Sequence, residues 1–408
     1  MATDQFLSNS LFDCIDFHNI EHVDPKSRQG IVNRLQLVHL WFFNAVDYEH
    51  RVEHDAALRT SLRQWAEYEI RPLVQTDEDG FTGLIDFSAE VSEYFYPLAS
   101  HDTKVKAAMG CVAAFTIDDA SLDTSVKDME DFALNIWKGS PPKNKWCAMF
   151  SRFLKFYAEY FGAHDPWVGN LGAVAWSNYV GACTMKDRMT QALPFHLSDH
   201  PLPKTTKYTP SGGSSRSVDC TEQFPGYMRE QTGFPATCLP ALFRMSDERE
   251  VPFRYWNSAI PLLNRLICTV NDLLSCSKET LAGENDKYVS LMTRAKRQEG
   301  AKSRFGAAGG LWTFRDTLCG LLQLTVDMIS SLDKAFVDCA EEFARKGALN
   351  GLVDDPGEPG SQEDIENMQL AADRWIAFRH DTIAYYLNCR RYDLESLVAI
   401  WQWSKGYK

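Results

Sequence analysis

The sequence predicts an all-α protein organised as a single large helical bundle. Three observations carry this reading. Apolar residues recur at helical spacing in segment after segment, while the short alternating runs bounded by turn pairs that mark strands are missing. Hydrophobic residues make up 45% of the 408 residues, enough to fill a large core. No internal repeat of solenoid period is evident. Length alone, at roughly 150 residues per domain, also allows two or three domains.

Taken in chain order, apolar periodicity places helices at about residues 29–47, 54–71, 86–98, 103–118, 127–137, 145–161, 167–190, 225–232, 255–280, 285–297, 309–346, 363–388 and 393–404. Residues 1–28 read as a flexible N-terminal segment. Two stretches interrupt the helical pattern: 201–217, rich in Pro, Gly, Ser and Thr, and 354–364, rich in Pro, Gly and acid. Strongly apolar helices flank the first, so it reads as an insertion within one domain and not as a linker. The expectation is one domain over residues 1–408.

Charge narrows the function. Lys and Arg number 42 against 55 Asp and Glu, a formal net charge of −13. An acidic chain lacks the basic surface that nucleic acid and anionic membranes require. The 11 cysteines form no CxxC pair, which fits a reducing compartment without disulfides. The acidic N-terminal stretch has no basic n-region, and no apolar run approaches a membrane span. A soluble, cytoplasmic protein is expected.

Four short constellations could carry chemistry. In KVKAAMGCVAAFTIDDASLD, a run of small and apolar residues from Val105 to Ile117 must be a buried helix, and Asp118, Asp119 and Asp123 follow at its C-terminal end. Carboxylates there oppose the helix dipole. A hard divalent cation bridging to a phosphate would compensate them; a solvated acidic cap is the alternative. The position four after Asp118 is Leu122, which cannot bind metal.

In NDLLSCSKE, Asn271, Ser275 and Glu279 recur every four residues, so amide, hydroxyl and carboxylate oxygens line one helical stripe within about 80°. Three such oxygens suit one face of an octahedral Mg²⁺, and Lys278 could reach the same anion. An ordinary polar face is the alternative. In FPGYMREQTGFP, Arg229 lies one turn before Thr232 and Gly233, and the following Gly-Phe-Pro should break the helix. A guanidinium there could sense a phosphate, or the segment could be a plain glycine stop. In CRRYDL, Arg390, Arg391 and Tyr392 end a long apolar-aromatic helix, where guanidinium and phenol could both donate to a diphosphate. Basic residues are also common at helix C-termini.

In this order, Asp118 and Asp119, Arg229 with Thr232 and Gly233, the stripe from Asn271 to Glu279, and Arg391 with Tyr392, the chain resembles class I terpene cyclases. The fungal trichodiene synthase type of sesquiterpene cyclase is the nearest in look, and the resemblance runs from about Val105 to Tyr392. It implies a helical class I terpenoid synthase fold and three Mg²⁺ ions. Asp118 would be the principal ligand of two, supported by Asp119, while Asn271, Ser275 and Glu279 would hold the third. Arg229 would sense the diphosphate, Thr232 would link and Gly233 would aim a backbone carbonyl at the substrate. Lys278, Arg391 and Tyr392 would grip the diphosphate. The family often has an acid where this chain has Leu122, which leaves Asp123 without an implied role.

The resemblance implies Mg²⁺-dependent ionisation of a prenyl diphosphate, farnesyl diphosphate above all, and cyclisation of the allylic cation in a dry pocket. Trichodiene is one product the family offers; the overall look also suggests a longiborneol synthase, whose cascade would end in water capture. A homodimer would be common for the family. Phe115, one turn before the aspartates, and Tyr385, about two turns before Arg391, are candidates to face the cation, with Trp312 and Phe95 behind them; core packing is the alternative for each. A prenyl diphosphate synthase would carry a second Asp-rich motif where this chain has Asn, Ser and Glu. A non-catalytic metal-binding helical protein is the reading from a different class.

Overall fold

The computed structural model describes residues 25–51, 54–118, 126–192, 223–231, 234–284, 287–302, 312–350, 361–392 and 394–404. No strand is present among the described residues. The helices are α1 (Pro25–Ala45), α2 (Ala56–Glu69), α3 (Glu78–Phe95), α4 (His101–Asp118), α5 (Phe132–Lys138), α6 (Lys145–Phe161), α7 (Pro166–Ala192), α8 (Gln223–Gln231), α9 (Phe234–Phe243), α10 (Ile260–Ala282), α11 (Tyr288–Lys302), α12 (Phe314–Asp333), α13 (Cys339–Asn350), α14 (Gln362–Asn388) and α15 (Glu395–Ser404). Buried side chains from every one of these helices except α8 form one contiguous core. No helix among the described residues is long and apolar enough to cross a membrane.

Helix ends follow local chemistry. Asp55, Asp77 and Asn144 cap α2, α3 and α6 by accepting from the amides of Leu58, Gly80 and Cys147, satisfying donors that a helix start leaves open. A reciprocal Thr313–Asp316 capping box opens α12. Gly283 closes α10 at φ 74°, its amide bonding the carbonyls of Glu279 and Thr280. That left-handed position favours glycine, and it lets the helix run without interruption through Glu279.

Several boundaries differ from the sequence expectation. The α1 helix starts at Pro25, inside the segment expected to be flexible over 1–28, because proline tolerates the first helical turn. α3 starts at Glu78 instead of 86; the Asp77 cap and the acids Glu78 and Asp79 in the first turn outweigh Gly80 and Gly83. α9 is absent from the expected set: the predicted break after α8 is followed at once by a new helix from Phe234, with Pro235 in its first turn and Pro240 inside it. The expected helix 309–346 is α12, a π-helical turn Lys334–Asp338 and α13. In the expected loop 354–364, Ser361 is the N-cap of α14, and 362–364 are its first turn. The insertion 201–217 lies outside the described residues.

Packing then positions the site. Contacts run from α3 to α4, α4 to α9, α9 to α10, α10 to α14 and α14 back to α3, so these five helices close a ring. Outside it, α7 braces α4 and α9, while α1 and α12 brace α10. The small-residue run in α4 permits close approach to α6 and α7. A Cβ at Gly110 would sit 2.5 Å from the Trp176 ring and 2.9 Å from that of Phe153.

Candidate active site

The α10 helix supplies the densest polar set. Its opposite face is mainly apolar, with Leu263, Leu266, Val270 and Leu273 buried beside the small polar Thr269, Ser277 and Thr280, which orients the Asn271, Ser275 and Glu279 stripe. Ser275 Oγ donates to Glu279 Oε1 at 2.7 Å. Burial pushes the Glu279 carboxyl up to about 7 despite the Ser275 hydrogen bond, and the nearby Asp272 adds to the rise. Lys287 and Arg229 offset only part of that rise. Among the described residues no cluster of three His, Cys, Asp or Glu side chains could hold a metal; the stripe instead offers one carboxylate with an amide and a hydroxyl oxygen. These hard donors, beside an under-compensated carboxylate, fit a divalent cation such as Mg²⁺.

Arg229, from α8, reaches across to α10. It donates from Nη2 to Asn271 Oδ1 at 2.6 Å and from Nε to Asp272 Oδ2 at 3.1 Å, and Nη2 also lies 2.9 Å from Asp272 Oδ1. Burial works against the guanidinium charge, but Asp272 more than restores it. The same burial pushes Asp272 up to about 6, with Arg229 holding it down from a larger rise. The other end of the Asn271 amide is also fixed: Nδ2 donates to the buried Tyr386 hydroxyl on α14 at 3.0 Å.

A cationic corner lies along the same edge. The Lys278 ammonium stands 5.8 Å from the Tyr392 ring centroid, and the Arg391 guanidinium 5.0 Å from that of Phe87. Burial lowers the Lys278 amine, and the like charge of Arg391 lowers it further. Two cations brought that near each other favour an anion between them. Tyr392 packs edge-on against Tyr386 at 4.8 Å and Tyr385 at 5.9 Å.

Beneath this polar edge the ring of helices is lined with aromatics. Phe115 of α4 meets Phe87 of α3 at 4.7 Å and Phe234 of α9 at 6.0 Å. Tyr385 meets Phe87 at 6.1 Å and Phe95 at 5.6 Å, and Phe95 reaches Phe234 at 6.4 Å. The five rings close on one another from four helices. The contacts of Trp312 are with Lys296, Arg297 and Thr317 on α11 and α12.

Of the residues singled out in the sequence, Arg229, Asn271, Lys278, Arg391, Tyr392, Phe115, Tyr385 and Phe95 belong to one connected set of contacts through Phe87, Phe234, Asp272 and Tyr386, and the hydrogen-bonded pair Ser275 and Glu279 is tied to it by the charges of Asp272 and Arg229. Asp118 is the last residue of α4, at the end of the helix that carries Phe115. Asp119, Asp123, Thr232 and Gly233 lie outside the described residues. Sequence reasoning assigned no role to Asp272, Tyr386, Phe87 or Phe234. An acid inside an otherwise apolar helical stretch, as in Val270-Asn271-Asp272-Leu273-Leu274, was a signal for the first. The others announce themselves only through packing.

No protein-family model matches the sequence. The chain is 22% identical to the terpene synthase BipA of Cochliobolus sativus over 351 residues, covering 85% of this chain and 86% of that one. Its fold is similar to the crystal structure of a-eudesmol synthase, with a TM-score of 0.50, 14% identity and coverage of 84% of this chain and 97% of the other.

Proposed function

We propose that this chain, a terpene synthase homologue with the all-α class I fold, is a sesquiterpene cyclase: it ionises farnesyl diphosphate and cyclises the allylic cation to a cyclic sesquiterpene or sesquiterpene alcohol. The observation that carries the reading is the juxtaposition of a cation-seeking oxygen stripe and a cationic corner above a box of five aromatic rings. Asn271, Ser275 and Glu279, together with Asp118 and Asp119, would hold Mg²⁺, which when bound neutralises the departing diphosphate.

The chain's own residues then divide the work. Lys278, Arg391 and the Tyr392 hydroxyl grip the diphosphate oxygens from one side, and Arg229 reads its arrival from the other. Negative charge grows on the diphosphate as the carbon–oxygen bond breaks, so donors already fixed there favour the transition state over the bound substrate. The organic cation left behind meets no nucleophile on the aromatic faces of Phe87, Phe95, Phe115, Phe234 and Tyr385. Each face stabilises it by about 0.5–2 kcal/mol, and the packed rings keep water away. The domain reading is the same proposal: one catalytic bundle over the whole chain.

Purified protein incubated with Mg²⁺ and, separately, geranyl, farnesyl and geranylgeranyl diphosphate tests this. The expected result is Mg²⁺-dependent diphosphate release greatest with the farnesyl substrate, with a cyclic fifteen-carbon product by gas chromatography and mass spectrometry. Release from none of the three overturns the reading. A longer prenyl diphosphate formed when isopentenyl diphosphate is added would mark a chain-elongating enzyme instead.

A further inference from the structure

We infer that Tyr386 is a positioning residue that anchors the Asn271 side chain in the orientation Arg229 selects, with its oxygen toward the metal side of α10. The inference deepens the proposed function and rests on Asn271 being a metal ligand. A carboxamide has two ends of nearly equal shape and opposite chemistry: the oxygen can bind a cation, and the NH₂ group cannot. At Asn271 both ends are engaged. Arg229 can only donate, and its Nη2 lies 2.6 Å from Oδ1; Nδ2 can only donate, and it meets the Tyr386 hydroxyl oxygen at 3.0 Å. A flipped amide would set NH₂ against the guanidinium.

The two anchors differ in permanence. Arg229 keeps 27% of its side-chain surface exposed, and in the proposed mechanism it turns to the diphosphate, which removes its hold on Oδ1. Tyr386 is 3% exposed, seated between Tyr385 at 5.0 Å and Tyr392 at 4.8 Å. It does not leave. Once Arg229 has gone, the phenol is the contact that still holds the amide, and a flip would first have to break its hydrogen bond to Nδ2. Partners behind a metal ligand of this kind typically change metal affinity by about 10–100-fold.

The test compares wild type and Tyr386→Phe, measuring Mg²⁺ binding in the presence of inorganic diphosphate by isothermal titration calorimetry and the melting temperature without ligand. Tyr386→Phe is expected to weaken Mg²⁺ binding about tenfold with the metal-free melting temperature little changed. Equal Mg²⁺ affinity in wild type and Tyr386→Phe overturns the inference, as does a weakening matched by a large fall in the metal-free melting temperature, which would mark a merely structural role. If wild type itself binds no Mg²⁺ with diphosphate, it is the metal-site reading that fails.

Discussion

The polar edge and the aromatic floor of the site are built in opposite ways. Three of the edge's proposed ligands, Asn271, Ser275 and Glu279, and the cation Lys278 come from nine residues of one helix, so the 3.6-residue period alone brings them together. The floor takes one or two rings from each of four helices, and its shape depends on how α3, α4, α9 and α14 pack. The edge carries charges that must be matched one for one. The floor offers several interchangeable faces, each worth little alone. Ionisation should therefore be fragile at single positions of the edge, while cyclisation should be tunable across the floor.

The largest expected effect strikes the edge. Removing both amide and hydroxyl oxygens in Asn271→Ala/Ser275→Ala should lower kcat/KM for diphosphate release about 10³-fold, because a lost electrophile is worth several kcal/mol and each ~1.36 kcal/mol is tenfold. Folding, checked by circular dichroism, should be retained, since neither side chain belongs to the apolar face of α10. Retained activity would show that the stripe is only a polar surface and would erase the contrast with the floor.

Next comes Arg229→Met. It removes the guanidinium that bridges Asn271 and Asp272 and leaves Asp272 buried without its cation. The loss in kcat/KM should be about 10²-fold, the scale of one charge-stabilising group. Asp272, already raised to about 6 by burial, should protonate more readily still. Arg229→Met/Asp272→Asn should then recover folding stability without recovering turnover, separating the structural role of the pair from the catalytic one. Thermal melts and steady-state rates on the same samples decide it.

Floor substitutions should act differently in kind. Phe115→Leu or Phe87→Leu removes one aromatic face, worth about 0.5–2 kcal/mol, so diphosphate release should fall no more than about 30-fold. The product mixture should nevertheless shift, with early-quenched acyclic alcohols rising as water enters. Mass spectrometry of products against total diphosphate released gives both numbers from one reaction. A floor variant that abolishes release with products unchanged would overturn the division of labour.

The same contrast explains what the sequence revealed. Helix periodicity exposed the α10 stripe because all its members share one helix, and the order of the motifs pointed to the class I terpene synthase fold. Arg229 was legible as a motif, but its partnership with Asp272 was not, because neighbours in sequence diverge by about 100° on a helix and only a group arriving from outside can bridge them. Phe87 and Phe234 looked like any core phenylalanine until the ring of helices brought them together. Helix α9 was hidden by Pro235, which read as a breaker although it sits where a helix has no bond to lose.

The smallest effect on catalysis is expected behind the edge, at His39 of α1. Its ring is 1% exposed, and Nε2 donates to the Leu273 carbonyl of α10 at 2.9 Å. Burial lowers its pKa to about 4, with the bond to Leu273 opposing part of the drop. The sign follows directly. Between its ordinary value of about 6.5 and about 4, the unfolded chain binds a proton that the folded chain refuses, so the stability contributed by neutral His39 is present above about 6.5 and lost as pH falls toward 4. The span of about 2.5 units corresponds to roughly 3 kcal/mol. His39→Gln can still donate to Leu273 but does not titrate. Urea denaturation at about pH 7 and about pH 4.5 should thus show a smaller stability loss for the Gln variant than for wild type, while turnover at about pH 7 stays within about twofold, since the substitution leaves every charged group of the edge in place. Equal losses in the two proteins would mean that His39 accepts its proton without leaving the fold, and that α1 braces α10 less firmly than the buried hydrogen bond implies.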